Sequence, residues 1–128
     1  MPSSRRGWTL IELLVVVAII AILAAIALPR MAATKDKARM ASIISDIRNS
    51  ETAETSYFSD FQTFGTFGQL QTASNFNLTS GNTMTITAGA SGYTATATNS
   101  QISKGATSCH IEVGGGATSG ADGLILCP

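Results

Sequence analysis

One apolar segment constrains this chain more than any other feature. Between Leu10 and Leu28 the only polar side chain is Glu12. As a helix, this segment would span roughly 28 Å, close to the ~30 Å hydrocarbon thickness of a bilayer. So short a chain cannot bury a helix that is apolar on every side, and lipid or other apolar helices must therefore cover it. The simplest interpretation is a membrane anchor that tolerates one carboxylate.

The residues that flank this segment do not form a conventional secretion signal. Such a signal has a small-residue cleavage site after its apolar core, and the core is removed with it. Here the candidate site, Gly7, lies before the core, so the helix would remain in the product. Charge counting leaves the orientation open, because Arg5 and Arg6 precede the segment while several basic residues follow it. These are Arg30, Lys35, Lys37 and Arg39.

The sequence around Gly7 carries a family resemblance. Gly7 followed by Trp-Thr-Leu-Ile-Glu-Leu-Leu at 8–14 resembles the class III signal of type IV pilins and pseudopilins. The resemblance implies that prepilin peptidase cuts between Gly7 and Trp8 and then methylates the new amine of Trp8. The first residue after the cut is usually Phe in this family, and here it is the equally aromatic Trp8.

The same resemblance implies roles in assembly for Thr9, Glu12 and Pro29. In the filaments of this family, the carboxylate at the Glu12 position lies close to the positive N-terminus of a neighbouring subunit, which pairs a charge that is otherwise surrounded by apolar groups. The family also has a cytoplasmic N-terminus and a globular part outside the inner membrane. We therefore expect the same orientation here.

After Pro29 the pattern changes from apolar on all sides to amphipathic. One predicted face repeats at three- and four-residue steps through Met40, Ile43, Ile44, Ile47, Ser50, Glu54, Tyr57, Phe58 and Phe61. The opposite face contains Lys35, Asp36, Lys37, Arg39, Asp46, Arg48, Asn49 and Glu51. Because proline removes a backbone hydrogen bond from a helix, we predict one helix from about Trp8 to about Phe58 that is kinked at Pro29.

The rest of the chain predicts a loop and a small sheet. Glycines and asparagines at 61–82 indicate a loop, held in place by Phe64, Phe67, Leu70, Phe76 and Leu78. Short alternating runs then predict four antiparallel strands at 84–88, 93–98, 108–113 and 123–127. The predicted fold class is α+β, with the long helix packed on this sheet as in the pilin fold. The expected divisions are a leader at 1–7, an apolar helix at 8–28, an amphipathic helix at 29–60 and a globular head at 61–128.

The chain has two cysteines, Cys109 and Cys127, and both fall in the part expected outside the cytoplasm. An even pair in an oxidising compartment indicates one disulfide, and many type IV pilins close a C-terminal loop with such a pair. A bridge of this kind contributes about 3 kcal/mol in the chain-entropy account. A metal site is the weaker interpretation, because two thiols and the single His110 do not complete a tetrahedral set.

Charge and motif content argue against several classes of function. Eight basic and eight acidic residues cancel, and no basic tract follows Arg48, so we expect no direct binding of nucleic acid. The sequence has no phosphate-binding loop, nucleophile elbow or zinc motif, and His110 has no candidate triad partners. We therefore predict no catalytic residue, no metal and no cofactor. A weak calcium site at Glu112 and Asp122 stays open as an alternative.

With the resemblance, these features favour a structural subunit over an enzyme. We expect the major pilin of a type IV pilus, a homo-oligomeric helical filament used for adhesion, motility or DNA uptake. The resemblance implies prepilin peptidase, an inner-membrane assembly platform and an assembly ATPase as partners. It also implies a single pass through the bacterial inner membrane before assembly and an extracellular filament afterwards. The alternatives are a pseudopilin of a type II secretion system, a minor pilin, and a membrane-anchored protein that never polymerises.

Overall fold

The computed structural model describes residues 7–115, 117 and 121–128 and has an α+β fold. Its elements are α1 (Leu10–Phe61), α2 (Phe67–Ser74), β1 (Thr83–Ala88), β2 (Gly92–Thr98), β3 (Ser108–Gly114) and β4 (Ile125–Leu126). The chain forms two compact units, one ending at Thr34 and the other running from Lys35 to Pro128. The predicted class, a long N-terminal helix with a four-stranded antiparallel sheet, is confirmed.

The sheet has the strand order β1-β2-β3-β4, and each strand is antiparallel to the next. Burial alternates along β1, where Met84 and Ile86 point into the core and the threonines between them are exposed. β4 is shorter than the predicted strand at 123–127, because only its two residues pair with His110 and Ile111 of β3. The predicted antiparallel pairing therefore holds, while the last strand is only a short edge.

The core of the second unit lies between the C-terminal half of α1 and one face of the sheet. Ile43 and Ile47 of α1 are fully buried, and so are Leu70 of α2 and Ile111 of β3. Full burial of each such side chain contributes about 1.5–3 kcal/mol. The predicted inward face of the helix is confirmed at Ile43, Ile47, Ser50, Glu54 and Tyr57. It is wrong at Phe61, whose side chain is 56% exposed.

The prediction that Asp46 lies on the solvent face of α1 is wrong. Asp46 is only 2% exposed, and its carboxylate accepts hydrogen bonds from the loop before β1. Thr79 donates its hydroxyl at 2.8 Å and its backbone N–H at 3.1 Å, and Asn82 donates from Nδ2 at 2.7 Å. A buried carboxylate is tolerated when its lone pairs are satisfied in this way. Asp46 therefore attaches the loop to the helix.

Asp36 was also predicted on the solvent face, and this too is wrong. The Ser103 hydroxyl donates to the Asp36 carboxylate at 2.8 Å, and the backbone N–H of Lys104 donates at 3.1 Å. Arg39 adds a salt bridge of 3.3 Å from the next turn of the helix. The Ser103 hydroxyl is the main cause that lowers the pKa of the Asp36 carboxyl. Asp36 thus holds a second loop, the one between β2 and β3, against α1.

The segment predicted as a continuous loop at 61–82 contains a helix, α2. Its start is stabilised by a capping interaction, because the Gln69 side chain accepts a hydrogen bond from the backbone N–H of Thr66 at 2.8 Å. Its end is closed by Asn75 in the left-handed conformation. The predicted apolar anchors are confirmed, since all five belong to the core or pack against it: Phe64, Phe67, Leu70, Phe76 and Leu78.

Glu54 is a fully buried carboxyl group near the C-terminal end of α1. Its Oε2 accepts a hydrogen bond of 2.8 Å from the backbone N–H of Gly65, which holds the segment that leads into α2. Its Oε1 has no partner among the described residues, and neither has the buried hydroxyl of Tyr93. Burial raises the pKa of Glu54, and burial together with Glu51 and Glu54 raises the pKa of Tyr93.

A pH dependence of stability follows from the raised pKa of Glu54. Folding favours the protonated form of Glu54. Its contribution to the stability of the folded state is therefore complete at pH values below its pKa in the unfolded chain, and this contribution is lost as the pH rises through its pKa in the folded protein. Relative to Glu54→Gln, the wild-type free energy of unfolding should fall by about 1.4 kcal/mol per pH unit across that window. Urea unfolding of both forms at a series of pH values measures the difference, and parallel curves would contradict the prediction.

Two predictions concern residues outside this description. The leader at 1–7 is described only at Gly7, so Arg5 and Arg6 lie outside the described residues. The sequence at 114–120 also predicts a flexible glycine-rich turn, of which the structure describes Gly114, Gly115 and Ala117.

Candidate processing and assembly site

The proposed cleavage point lies in irregular backbone just before α1. Gly7 has no neighbouring atom within 4 Å of the position that a Cβ would occupy. Trp8 is 74% exposed, and neither residue belongs to a helix or strand. Cleavage between Gly7 and Trp8 and methylation of Trp8 remain predictions.

Thr9 and Glu12 form a complete capping box at the start of α1. The Glu12 Oε2 accepts the backbone N–H of Thr9 at 2.7 Å and the Thr9 hydroxyl at 2.9 Å. In return, the Thr9 Oγ1 accepts the backbone N–H of Glu12 at 3.2 Å. Two N–H groups that have no partner inside the helix are satisfied in this way. The spacing of Ser or Thr three residues before Glu is itself a sequence signal for this motif, so Thr9 and Glu12 could be recognised as a capping box without the structure.

This geometry leaves one oxygen of Glu12 available. All described hydrogen bonds to the Glu12 side chain end on Oε2, so Oε1 accepts none from the described residues. The carboxylate can therefore keep its capping role and accept a hydrogen bond from a cation outside its own chain at the same time. The helix dipole also stabilises the charged form of the Glu12 carboxylate, because a negative charge is favourable in the first turn of a helix.

The apolar half of α1 is uncovered. Every Leu, Ile and Val between Leu10 and Leu28 is exposed. α1 is also the one described helix that is long and apolar enough to cross a membrane, by length and composition. None of the described residues covers these large side chains, so a lipid or protein partner is needed to remove them from water.

Pro29 lies inside α1, and the helix assignment continues through it. Proline at this position has no N–H to donate to the preceding turn, so one helical hydrogen bond is missing there. The kink predicted at Pro29 and the role of Pro29 in assembly both remain predictions.

Cys109 and Cys127 form the predicted disulfide, which links β3 to the residue after β4. Their Cα atoms are 4.1 Å apart and their separation in sequence is 18 residues. Cys109 is fully buried beside Met40 of α1, while Cys127 is exposed. The bridge therefore anchors the C-terminal loop to the core of the second unit.

The alternative of a calcium site at Glu112 and Asp122 finds limited support. The Asp122 Oδ1 already accepts the backbone N–H of Gly114 at 2.8 Å, and the backbone carbonyl of Glu112 accepts the N–H of Gly123 at 2.8 Å. Within the described ranges, no group of three or more His, Cys, Asp or Glu residues is close enough to hold a metal ion. Through these hydrogen bonds, Glu112 and Asp122 help to fix the conformation of the loop. His110 is half-buried on β3.

Comparison with known families gives a match over the N-terminal segment. Residues 2–28 match the family described as the prokaryotic N-terminal methylation motif, which is the class III signal of type IV pilins. No curated protein matches the chain. The motif supports a type IV pilin or pseudopilin-like subunit and implies processing by prepilin peptidase. Members of such families are structural subunits, and the apolar helix fits membrane anchoring of the unprocessed form.

Proposed function

We propose that this chain is the major pilin of a type IV pilus, a structural subunit that polymerises through α1 into an extracellular helical filament. The observation that carries the proposal is the coincidence of the methylation motif at 2–28 with a helix whose large apolar side chains are all exposed between Leu10 and Leu28. A processed helix that none of the described residues covers needs many copies of itself, or lipid, to cover it.

The proposed sequence of events assigns a task to each part of the chain. Residues 1–7 are the leader that prepilin peptidase removes, and residues 8–28 hold the subunit in the inner membrane with a cytoplasmic N-terminus. An assembly platform and an assembly ATPase then move the subunit into the fibre. Residues 8–28 and 29–60 form the helix, which bends at Pro29, and residues 61–128 form the head with its disulfide-closed loop.

Glu12 supplies the specificity of this assembly. Lipid and neighbouring helices are both apolar, so transfer between them gains little from the hydrophobic effect. Charge pairing can decide the register, because a carboxylate left unpaired among apolar groups is unfavourable. The Oε1 of Glu12, which accepts no hydrogen bond from the described residues, accepts one from the methylated N-terminal amine of a neighbouring Trp8. The Oε2 keeps the hydrogen bonds that Thr9 donates to it.

A pseudopilin of a type II secretion system is the main alternative, since the same motif starts both kinds of subunit. The disulfide at Cys109 and Cys127 favours the pilin, because it closes the C-terminal loop that a calcium ion closes in some secretion pseudopilins. The carboxylate of Asp122 is already used within that loop. A minor pilin shares every one of these features and differs in abundance.

Intact mass spectrometry of material sheared from the cell surface tests the proposal, with electron microscopy of the same fraction. We expect an abundant species that begins at N-methylated Trp8, contains the closed Cys109–Cys127 bridge and comes from visible fibres. The control is the membrane fraction of the same cells.

Each other outcome points to a named alternative. A chain that retains residues 1–7 and occurs only in membranes would indicate a membrane-anchored protein that never polymerises. A processed chain that is absent from the sheared fraction would indicate a secretion pseudopilin. A processed chain found in fibres at low abundance would indicate a minor pilin.

A further inference from the structure

The second unit contains a surface groove that is separate from the capping box and from the disulfide. The groove lies between the C-terminal end of α1 and the helix α2 and has a volume of about 430 Å³. It is a shallow groove that is open to solvent. Tyr57 and Phe61 of α1 form one side, and Thr66, Gln69 and Thr72 form the other.

The α1 side of the groove is an aromatic platform. The Phe61 ring is 56% exposed and packs against the ring of Tyr57, with 4.4 Å between the centroids. Tyr57 is only 7% exposed and belongs to the core, so the platform is supported from below. Among the described residues of the second unit, Phe61 and Leu124 are the large hydrophobic side chains with high exposure, and Phe61 is the aromatic one.

The α2 side of the groove is polar and carries no charge. Gln69 uses its Oε1 to cap α2, which leaves its Nε2 without a described partner and able to donate into the groove. Thr66 and Thr72 add hydroxyl groups. Gly68 keeps the groove open, because no atom lies within 4 Å of the position that a Cβ would occupy there.

We propose that this groove binds a neutral pyranose, the terminal sugar of a glycan. A pyranose has an apolar C–H face, which suits the exposed Phe61 ring, and a rim of hydroxyls, which suits the Gln69 amide and the threonine hydroxyls. A charged sugar lacks a partner here, since no lining residue is ionised. The Thr66 hydroxyl already donates to Gln69 Oε1 at 2.9 Å and the Thr72 hydroxyl to the Gly68 carbonyl at 3.0 Å, so both can only accept hydrogen bonds from a ligand. A long apolar occupant would cover the Gln69 Nε2 without offering it an acceptor.

The inference deepens the proposed function by naming a ligand class for the displayed head, and it rests on the pilin proposal only for its biological use. The groove belongs to the second unit, so the subunit binds sugar whether or not it polymerises. Fibre formation and sugar binding are therefore scored separately. Binding without fibres would overturn the pilin proposal alone, and fibres without binding would overturn the glycan site alone.

The test is a titration of the full mature chain in a zwitterionic detergent that contains no sugar. The probes are the methyl pyranosides of glucose, galactose and N-acetylglucosamine, with N-acetylneuraminic acid as the charged comparison. Backbone amide NMR shifts report the binding site. We expect saturable shifts in α2 and at the end of α1 with at least one neutral sugar and none with the charged sugar.

Three variants locate the binding. Phe61→Ala removes the platform, and Gly68→Leu fills the groove at an open helical position where leucine also favours the helix. Each should weaken binding by about tenfold or more. Leu124→Ala is the matched control, because Leu124 is equally exposed at 60% and lies outside the groove; its affinity should equal that of wild type.

Several results would overturn the proposal. The first is the absence of saturable shifts with every neutral sugar, and the second is shifts that map elsewhere. Wild-type affinity in Gly68→Leu, with its circular dichroism spectrum unchanged, would show that the groove is not the site. Groove shifts that depend on protein concentration without sugar would identify a second copy of the chain as the occupant.

Discussion

Replacing Glu12 with Ala is expected to abolish surface fibres while leaving processing at Gly7 intact. In the proposed filament, the variant leaves the positive N-terminal amine of each neighbouring subunit unpaired among apolar helices. Truncation of one member of such a pair has large effects on association, so the fibre mass in the sheared fraction should fall by about a hundredfold or more. Immunoblots of sheared and membrane fractions measure the loss, and intact mass confirms that the chain still begins at Trp8.

A second substitution separates the charge of Glu12 from its capping role. Gln at this position can still accept the Thr9 backbone N–H, because Glu and Gln are both found in capping boxes. If the charge docks subunits, Glu12→Gln should lose fibres as fully as Glu12→Ala. Fibres restored by Gln would instead assign the effect to helix capping. Unchanged fibres in Glu12→Ala would contradict the assembly role altogether.

Opening the disulfide is expected to lower the free energy of unfolding of the second unit by about 3 kcal/mol. The bridge closes a separation of 18 residues, and β4 pairs with only His110 and Ile111 of β3. Without the bridge, residues 121–128 are held to β3 by this short pairing and by the hydrogen bonds of Asp122 to Gly114 and of Gly123 to Glu112. Denaturant unfolding of the oxidised and reduced wild-type chain measures the change, and hydrogen exchange should show faster opening of β4 than of β2.

The double variant Cys109→Ala and Cys127→Ala is the control for the chemistry of the reductant. Because Cys109 is fully buried, alanine is the better replacement, since serine would bury a hydroxyl. The variant should match the reduced wild type and should not respond to reductant. A change below about 1 kcal/mol would mean that the packing of β3 and β4 holds the loop by itself.

The buried aspartates give α1 a structural role in the second unit beyond its apolar face. Asp36 binds the loop between β2 and β3, and Asp46 binds the loop before β1. Both carboxylates accept several hydrogen bonds, so each loop is attached to the same helix that is proposed to enter the filament. Force applied to α1 would therefore reach the sheet through defined polar contacts as well as through the core.

Local sequence patterns were sufficient for the elements that depend on neighbouring residues. The apolar segment, the amphipathic half of α1 and the four strands follow from periodicity that any short window displays. The helix α2 had a local signal as well, since Thr66 and Gln69 have capping-box spacing. It was missed because Gly68 within the helix and Asn75 at its end also indicate a loop.

The sequence by itself determined that an exposed apolar helix follows a processing signal, that the head is α+β, and that two cysteines are available to pair. Only the tertiary structure decided which carboxylates are buried and which side chains meet in the groove. Periodicity places Asp36 and Asp46 with the polar residues of α1. Apart from Arg39, their hydrogen-bond donors lie 33 to 68 residues further along the chain, so these contacts exist only once the loops fold back onto the helix.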